Sequence, residues 1–124
     1  MATYSSFNQQ RPRQAWDGID VRVINGERLT MALVDLAPDM PVQEHHHENE
    51  QVGFILQGQL TFTIGGEEKV LGPGDTYNIP SHVPHSVVTG PEGCVAVDVF
   101  APVRAEWDAL STSDPRPSAW KIER

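Results

Sequence analysis

Short apolar–polar alternations, each cut off by glycine or proline, constrain this chain more than any other feature. Leu60, Phe62 and Ile64 alternate with Gln59, Thr61 and Thr63, and Gly65-Gly66 then turns the chain back towards Lys69 to Leu71. Residues two apart share a face of a strand, so this stretch is a half-buried strand and its hairpin partner. Ile19, Val21 and Val23 lead in the same way into Asn25-Gly26, a dipeptide suited to a two-residue turn, and the chain returns through Leu29 to Leu36. Gln51 to Gln57 sets Val52, Phe54 and Leu56 on the face opposite Gln51, Gly53 and Ile55. After the turn Gly72-Pro73-Gly74-Asp75, three more short strands are predicted at Tyr77 to Pro80, His85 to Thr89 and Cys94 to Phe100. Ten glycines and ten prolines would interrupt a helical bundle. The fold is therefore all-β, a closed barrel or a two-sheet sandwich, because such strands need a partner face and protected edges.

The 124 residues suffice for one domain with its own core. Residues 1–15 are polar and aperiodic and read as an N-terminal arm, disordered or laid across a neighbour, with Trp16 the first anchor. Residues 16–110 form the barrel, Arg104 to Leu110 adds a short helical turn, and 111–124, with Pro115 and Pro117, is an irregular tail whose Trp120 can dock on a partner subunit. A net charge of -8 opposes binding to nucleic acid or an anionic membrane surface, while leaving a local cation free to hold an anionic small molecule. No apolar run approaches the roughly 20 residues of a membrane span. Cys94 is the single cysteine, and no leader pattern precedes the first strand, so a soluble, cytoplasmic protein is expected.

Five histidines are distributed unevenly: His45, His46 and His47 adjoin, and His82 and His85 follow much later. Alternation in a strand turns His45 and His47 to one face and His46 to the other. Gln51 can complete part of a coordination sphere from the adjacent strand, and His85, after the Ile79-Pro80-Ser81-His82-Val83-Pro84 turn, can supply a fourth ligand to one divalent transition metal. Nickel, zinc, iron, manganese and copper all remain open. Glu48 and Glu50 read as solvated turn acids, and His82 as an exposed turn histidine or one lining the pocket mouth.

The spacing resembles the cupin superfamily, whose first motif runs glycine, five residues, His-x-His, three or four residues, glutamate, six residues, glycine. Here stand His45, His47, Gln51 and Gly58; Gly74, Pro80 and His85 match the second motif. Asp39, Gln51, His82 and Thr89 depart from it, replacing glycine, glutamate, glycine and asparagine. The resemblance implies a single-domain cupin, a double-stranded β-helix or jelly-roll barrel, with His45, His47, Gln51 and His85 as ligands. Since Gln51 is neutral where the family has a carboxylate, such a site keeps the ion's full charge and favours Lewis-acid over redox chemistry.

Asp98 interrupts the apolar strand Cys94 to Phe100, so it either has a cationic partner, Arg22 or Arg104, or faces a polar cavity. The segment Asp98 to Trp107, DVFAPVRAEW, together with Gln51, resembles the small cupins related to the pectin-degradation protein KdgF. That family converts 4,5-unsaturated uronates to linear keto forms. The resemblance implies Asp98 as general acid or base, Arg104 as the bidentate partner of a substrate carboxylate, and Phe100 as part of the site. It also implies a small-molecule substrate, an anionic sugar acid, and a homodimer that would cover the Val52, Phe54 and Leu56 face, which a further strand layer or the arm could cover instead. A metal-dependent dioxygenase and a non-catalytic binding cupin are the alternative functions.

Overall fold

The computed structural model of the chain describes residues 2–121, so residue 1 of the expected arm and residues 122–124 of the expected tail lie outside the described residues. Eight strands follow in order: β1 (Arg13–Trp16), β2 (Ile19–Asn25), β3 (Thr30–Leu36), β4 (Pro41–His45), β5 (Glu50–Ile64), β6 (Glu67–Leu71), β7 (Thr76–Ile79) and β8 (His85–Ala101). All pairings are antiparallel. The first half of β5 pairs with the second half of β8 and with β7, and β3, β2 and β1 continue that sheet. The second half of β5 pairs with the first half of β8, flanked by β6 and β4. Two long strands thus run through both layers of a jelly roll.

The expected separate strands at 85–89 and 94–100 are one strand, as are 51–57 and 59–64. Bulges between Ile55 and Gln57 and between Gly58 and Leu60 bend β5 without ending it. Gly58, at φ +80°, is required at that bend, since a Cβ there would collide with the Gly93 carbonyl and sit 3.0 Å from the Cys94 Cα. The bulges also reset the alternation, so Leu60 and Phe62 face inward as Gln51 and Ile55 do. Gly65-Gly66 makes the two-residue turn, both at positive φ. Asn25-Gly26 does not: Asn25 pairs with Thr30 across a loop of residues 26–29, where its side-chain oxygen accepts from Thr30 Oγ1 at 2.6 Å. Local turn propensity gave way to a side-chain bond that prolongs the strand pairing.

Ile55, Ile79, Val21 and Ala32 are fully buried between the layers, each large side chain stabilising the fold by about 2 kcal/mol relative to exposure. The arm lies on its own chain: Gln10 Oε1 accepts from the Val23 amide at 3.0 Å, and Asn8 Oδ1 accepts from the Ser118 amide at 3.0 Å. A 3-10 turn at Ala105–Ala109 follows the barrel as expected. The tail then crosses β2 and β3, held by buried Arg22, which donates to Asp35 and to the Arg116 carbonyl at 2.9 Å each. On the outer face, Val52 and Phe54 remain 42% and 37% exposed, so among the described residues neither arm nor strand covers them. Among the described residues, no helix is long and apolar enough to cross a membrane.

Candidate metal centre

His45 ends β4 and His85 begins β8, and the two are register partners. His47 lies beyond β4, in the loop before β5, so strand alternation does not aim it; a 2.8 Å bond from its Nδ1 to the Asn49 carbonyl does. His45 Nδ1 donates likewise to the Gln43 carbonyl at 2.8 Å, and His85 Nδ1 to the Val83 carbonyl at 2.9 Å. A carbonyl only accepts, so each Nδ1 carries the proton, and each neutral ring presents an Nε2 lone pair. The ligand atoms of the three rings lie within 4.8 Å of one another. His46 and His82 are exposed side chains outside this group, as expected of them. Glu48 and Glu50 are exposed too.

These residues fit a bound cation. His85 Nε2 is buried without a hydrogen-bond partner, a costly state for a polar atom that coordination would relieve. Gln51 Oε1 lies 3.1 Å from His47 Nε2. Two acceptors facing each other repel unless a positive charge lies between them. Burial lowers the pKa of all three histidines, that of His85 to about 4, which keeps the rings unprotonated. Carbonyl bonds behind each ring hold its orientation, as is usual for metal-binding imidazoles.

Asp98 is a register partner of Gly53 on β5, and its side chain enters the same interior. It pairs with neither arginine: Arg22 takes Asp35, and Arg104 Nε takes Glu106 at 3.0 Å. Instead Asp98 Oδ1 accepts from Tyr77 Oη at 2.5 Å. Burial raises its pKa to about 6, against the opposing pull of Tyr77, Gln51 and Arg104. Gln51 lines the same cavity as Asp98, so the glutamate of the cupin motif would set a second carboxylate beside Asp98 and repel it.

Arg104 is buried between two rings, its guanidinium carbon 4.8 Å from the Phe100 centroid and 4.1 Å from that of Trp107. Its backbone amide donates to buried Thr30 Oγ1 at 2.9 Å. His45, Gln51, Tyr77, His85, Asp98, Phe100, Arg104 and Trp107 line one cavity, whose roughly 70 Å³ admits several waters. Trp16 packs at a tilt against His45 along its wall, with ring centroids 5.0 Å apart. Tyr77 and Trp107 were not among the site residues read from the sequence. Tyr77 occupies an ordinary strand position whose partner only register reveals, and Trp107 lies one short turn beyond the barrel.

A jelly roll whose interior gathers three imidazoles able to hold a metal ion has the layout of a cupin. The chain belongs to the cupin family, with residues 32–100 matching the Cupin_2 model, a cupin domain. It is 32% identical over 93 residues to the pectin degradation protein KdgF of Dickeya dadantii, covering 73% of this chain and 84% of that one. Over 96 residues it is 33% identical to an acireductone dioxygenase of Alcanivorax borkumensis, covering 66% of this chain and 53%, about half, of that relative. The solved structure of KdgF from Halomonas sp. superposes with a TM-score of 0.79 at 23% identity, covering 86% of this chain and 98% of that one. An RmlC-like cupin from Shewanella frigidimarina gives 0.78 at 24%, covering 86% and 96%. Both confirm the fold.

Proposed function

We propose that the protein converts 4,5-unsaturated uronates, the products of pectin or alginate cleavage, to linear keto forms. The observation that carries this reading is the convergence of Asp98 and Arg104 on the cavity that His45, His85 and Gln51 also line. The reaction is an isomerisation. The anomeric hydroxyl loses its proton, the bond from C1 to the ring oxygen breaks to leave an aldehyde, and the enol so released gains a proton at C4 to become a ketone. Asp98 is the group that takes and returns the proton, with a pKa near the working range of such a catalyst. Arg104, its plane fixed between Phe100 and Trp107, holds the substrate carboxylate. A divalent ion on His45, His47, His85 and Gln51 would polarise the sugar oxygens as a Lewis acid. The test is loss of alkene absorbance from a 4,5-unsaturated galacturonate or mannuronate. No acceleration over the spontaneous reaction by metal-loaded protein would refute the assignment.

Arg104→Lys is expected to raise KM for the uronate about tenfold or more with a smaller effect on kcat, since a lysine neither forks onto a carboxylate nor fills the slot between two rings. Steady-state kinetics on the metal-loaded variant check this. The similarity to acireductone dioxygenase favours a second reading, dioxygen chemistry at the same centre. Substrate-dependent oxygen uptake with iron would select it. We read the protein as a cytoplasmic homodimer joined through the Val52 and Phe54 face, and a monomeric mass in solution would overturn that assembly.

A further inference from the structure

Three neighbouring strands meet at one residue without a side chain. Gly53 of β5 is the register partner of Tyr77 on β7 to one side and of Asp98 on β8 to the other. In a sheet, the side chains of residues two strands apart are separated by the side chain between them. Here that position is empty, and Tyr77 Oη reaches across it to Asp98 Oδ1 at 2.5 Å. A Cβ at Gly53 would lie 2.7 Å from Tyr77 Oη and closer still to Asp98 Oδ1 and the Val97 carbonyl. The glycine does not serve a turn, since its φ is not positive. Its place in the middle of a strand, where glycine otherwise weakens pairing, is explained by the bond that passes over it.

We propose that Tyr77 and Gly53 are positioning residues for Asp98: the phenol fixes one carboxylate oxygen over the glycine gap and leaves the other to the cavity. The proposal rests on the reading of Asp98 as the acid–base group. Tyr77 suits the task. It is 8% exposed, its ring is braced on Phe62 at 4.8 Å between centroids, and its hydroxyl makes this single side-chain bond. The geometry restricts rotation of the carboxylate about its last torsion, which is otherwise soft. A proton donor at one oxygen also keeps the carboxylate's remaining basicity on the other.

Tyr77→Phe preserves the ring and removes the bond. In the metal-loaded enzyme it is expected to lower kcat for the unsaturated uronate roughly ten- to a hundredfold, the size of a hydrogen bond to a charged group, with KM within about twofold. The same substitution in an Asp98→Asn background should cost nothing further. Full kcat in Tyr77→Phe, or an undiminished loss in that background, overturns the proposal. A second readout needs neither metal nor turnover. The chain has two tyrosines, and Tyr4 is 95% exposed. In a Tyr4→Phe protein, the tyrosine Fermi doublet in the Raman spectrum therefore reports Tyr77 alone, and it should show a strong donor that weakens in Gly53→Ala and in Asp98→Ala. A doublet unmoved by both substitutions overturns the pairing. Should the wild type fail to turn over uronates, the functional reading falls and the doublet alone decides the positioning.

Discussion

A His85→Ala protein is expected to keep its fold and lose its metal. Elemental analysis of the wild type should find about one divalent ion per chain, and the variant close to none, with affinity reduced by a hundredfold or more. His85 is the member of the set whose removal is most informative. It is 2% exposed, it sits centrally with its ring 4.2 Å from that of His45 and 4.9 Å from that of His47, and its Nε2 has no other partner. The fold loses little with it, because the Nδ1 bond closes only a local contact to Val83 and the orphaned nitrogen disappears. Binding to the native state alone raises stability by about 4 kcal/mol at a thousandfold excess over Kd. Added metal should therefore raise the wild-type melting temperature and leave that of His85→Ala unmoved. Equal metal content in the two proteins would remove the centre altogether.

The two halves of that centre were unequally legible in the sequence. His45, His47, Gln51 and His85 could be picked out because their spacing is a linear pattern, and the glycine at 58 is fixed by the same bend that the motif encodes. The reason given for His47 was wrong in detail. A loop and the Asn49 carbonyl aim it, and alternation has no role there. Asp98 was visible as a polar residue out of place in an apolar strand. Its partners were not, since choosing among Arg22, Arg104 and Tyr77 requires knowing which strands are neighbours. Tyr77 lies 21 residues from Asp98, and only the order β7, β5, β8 brings them together. The continuity of β5 and β8 was hidden for a related reason: Gly58 and Gly93 look like strand ends, yet at positive φ they bend a strand that continues.

Gln51 lies between the histidine cluster and Asp98. Its oxygen faces His47 Nε2 at 3.1 Å, and it lines the same cavity as Asp98. The usual cupin glutamate would bring its negative charge into the ligand set itself. Here the carboxylate stands one strand away on Asp98, where the proposed reaction would have it move a proton.

Asp98→Asn should abolish catalysis and at the same time change how stability depends on pH. Removing a general acid–base group typically costs a hundred- to ten-thousandfold in rate. With the histidines and Gln51 untouched, metal content should hold near the wild-type value while kcat falls by that factor. The stability effect follows from burial. The carboxyl is 6% exposed and its pKa rises from 3.8 to about 6 on folding. Between those values the native state binds more protons than the unfolded chain, so the stability that Asp98 contributes is present in acid and lost as pH rises through about 6. A rise of about two pH units corresponds to roughly 3 kcal/mol. The histidines, with lowered pKa values, act with the opposite sign over part of the same window, but they are shared by both proteins and cancel in the comparison. Urea unfolding of the two metal-free proteins at pH 4 and pH 7 should therefore show the wild type losing stability relative to Asp98→Asn by up to that amount as pH rises. An unchanged difference between the two proteins across this range would mean that Asp98 is not held as a buried carboxyl. A variant that keeps wild-type kcat would remove Asp98 from the chemistry.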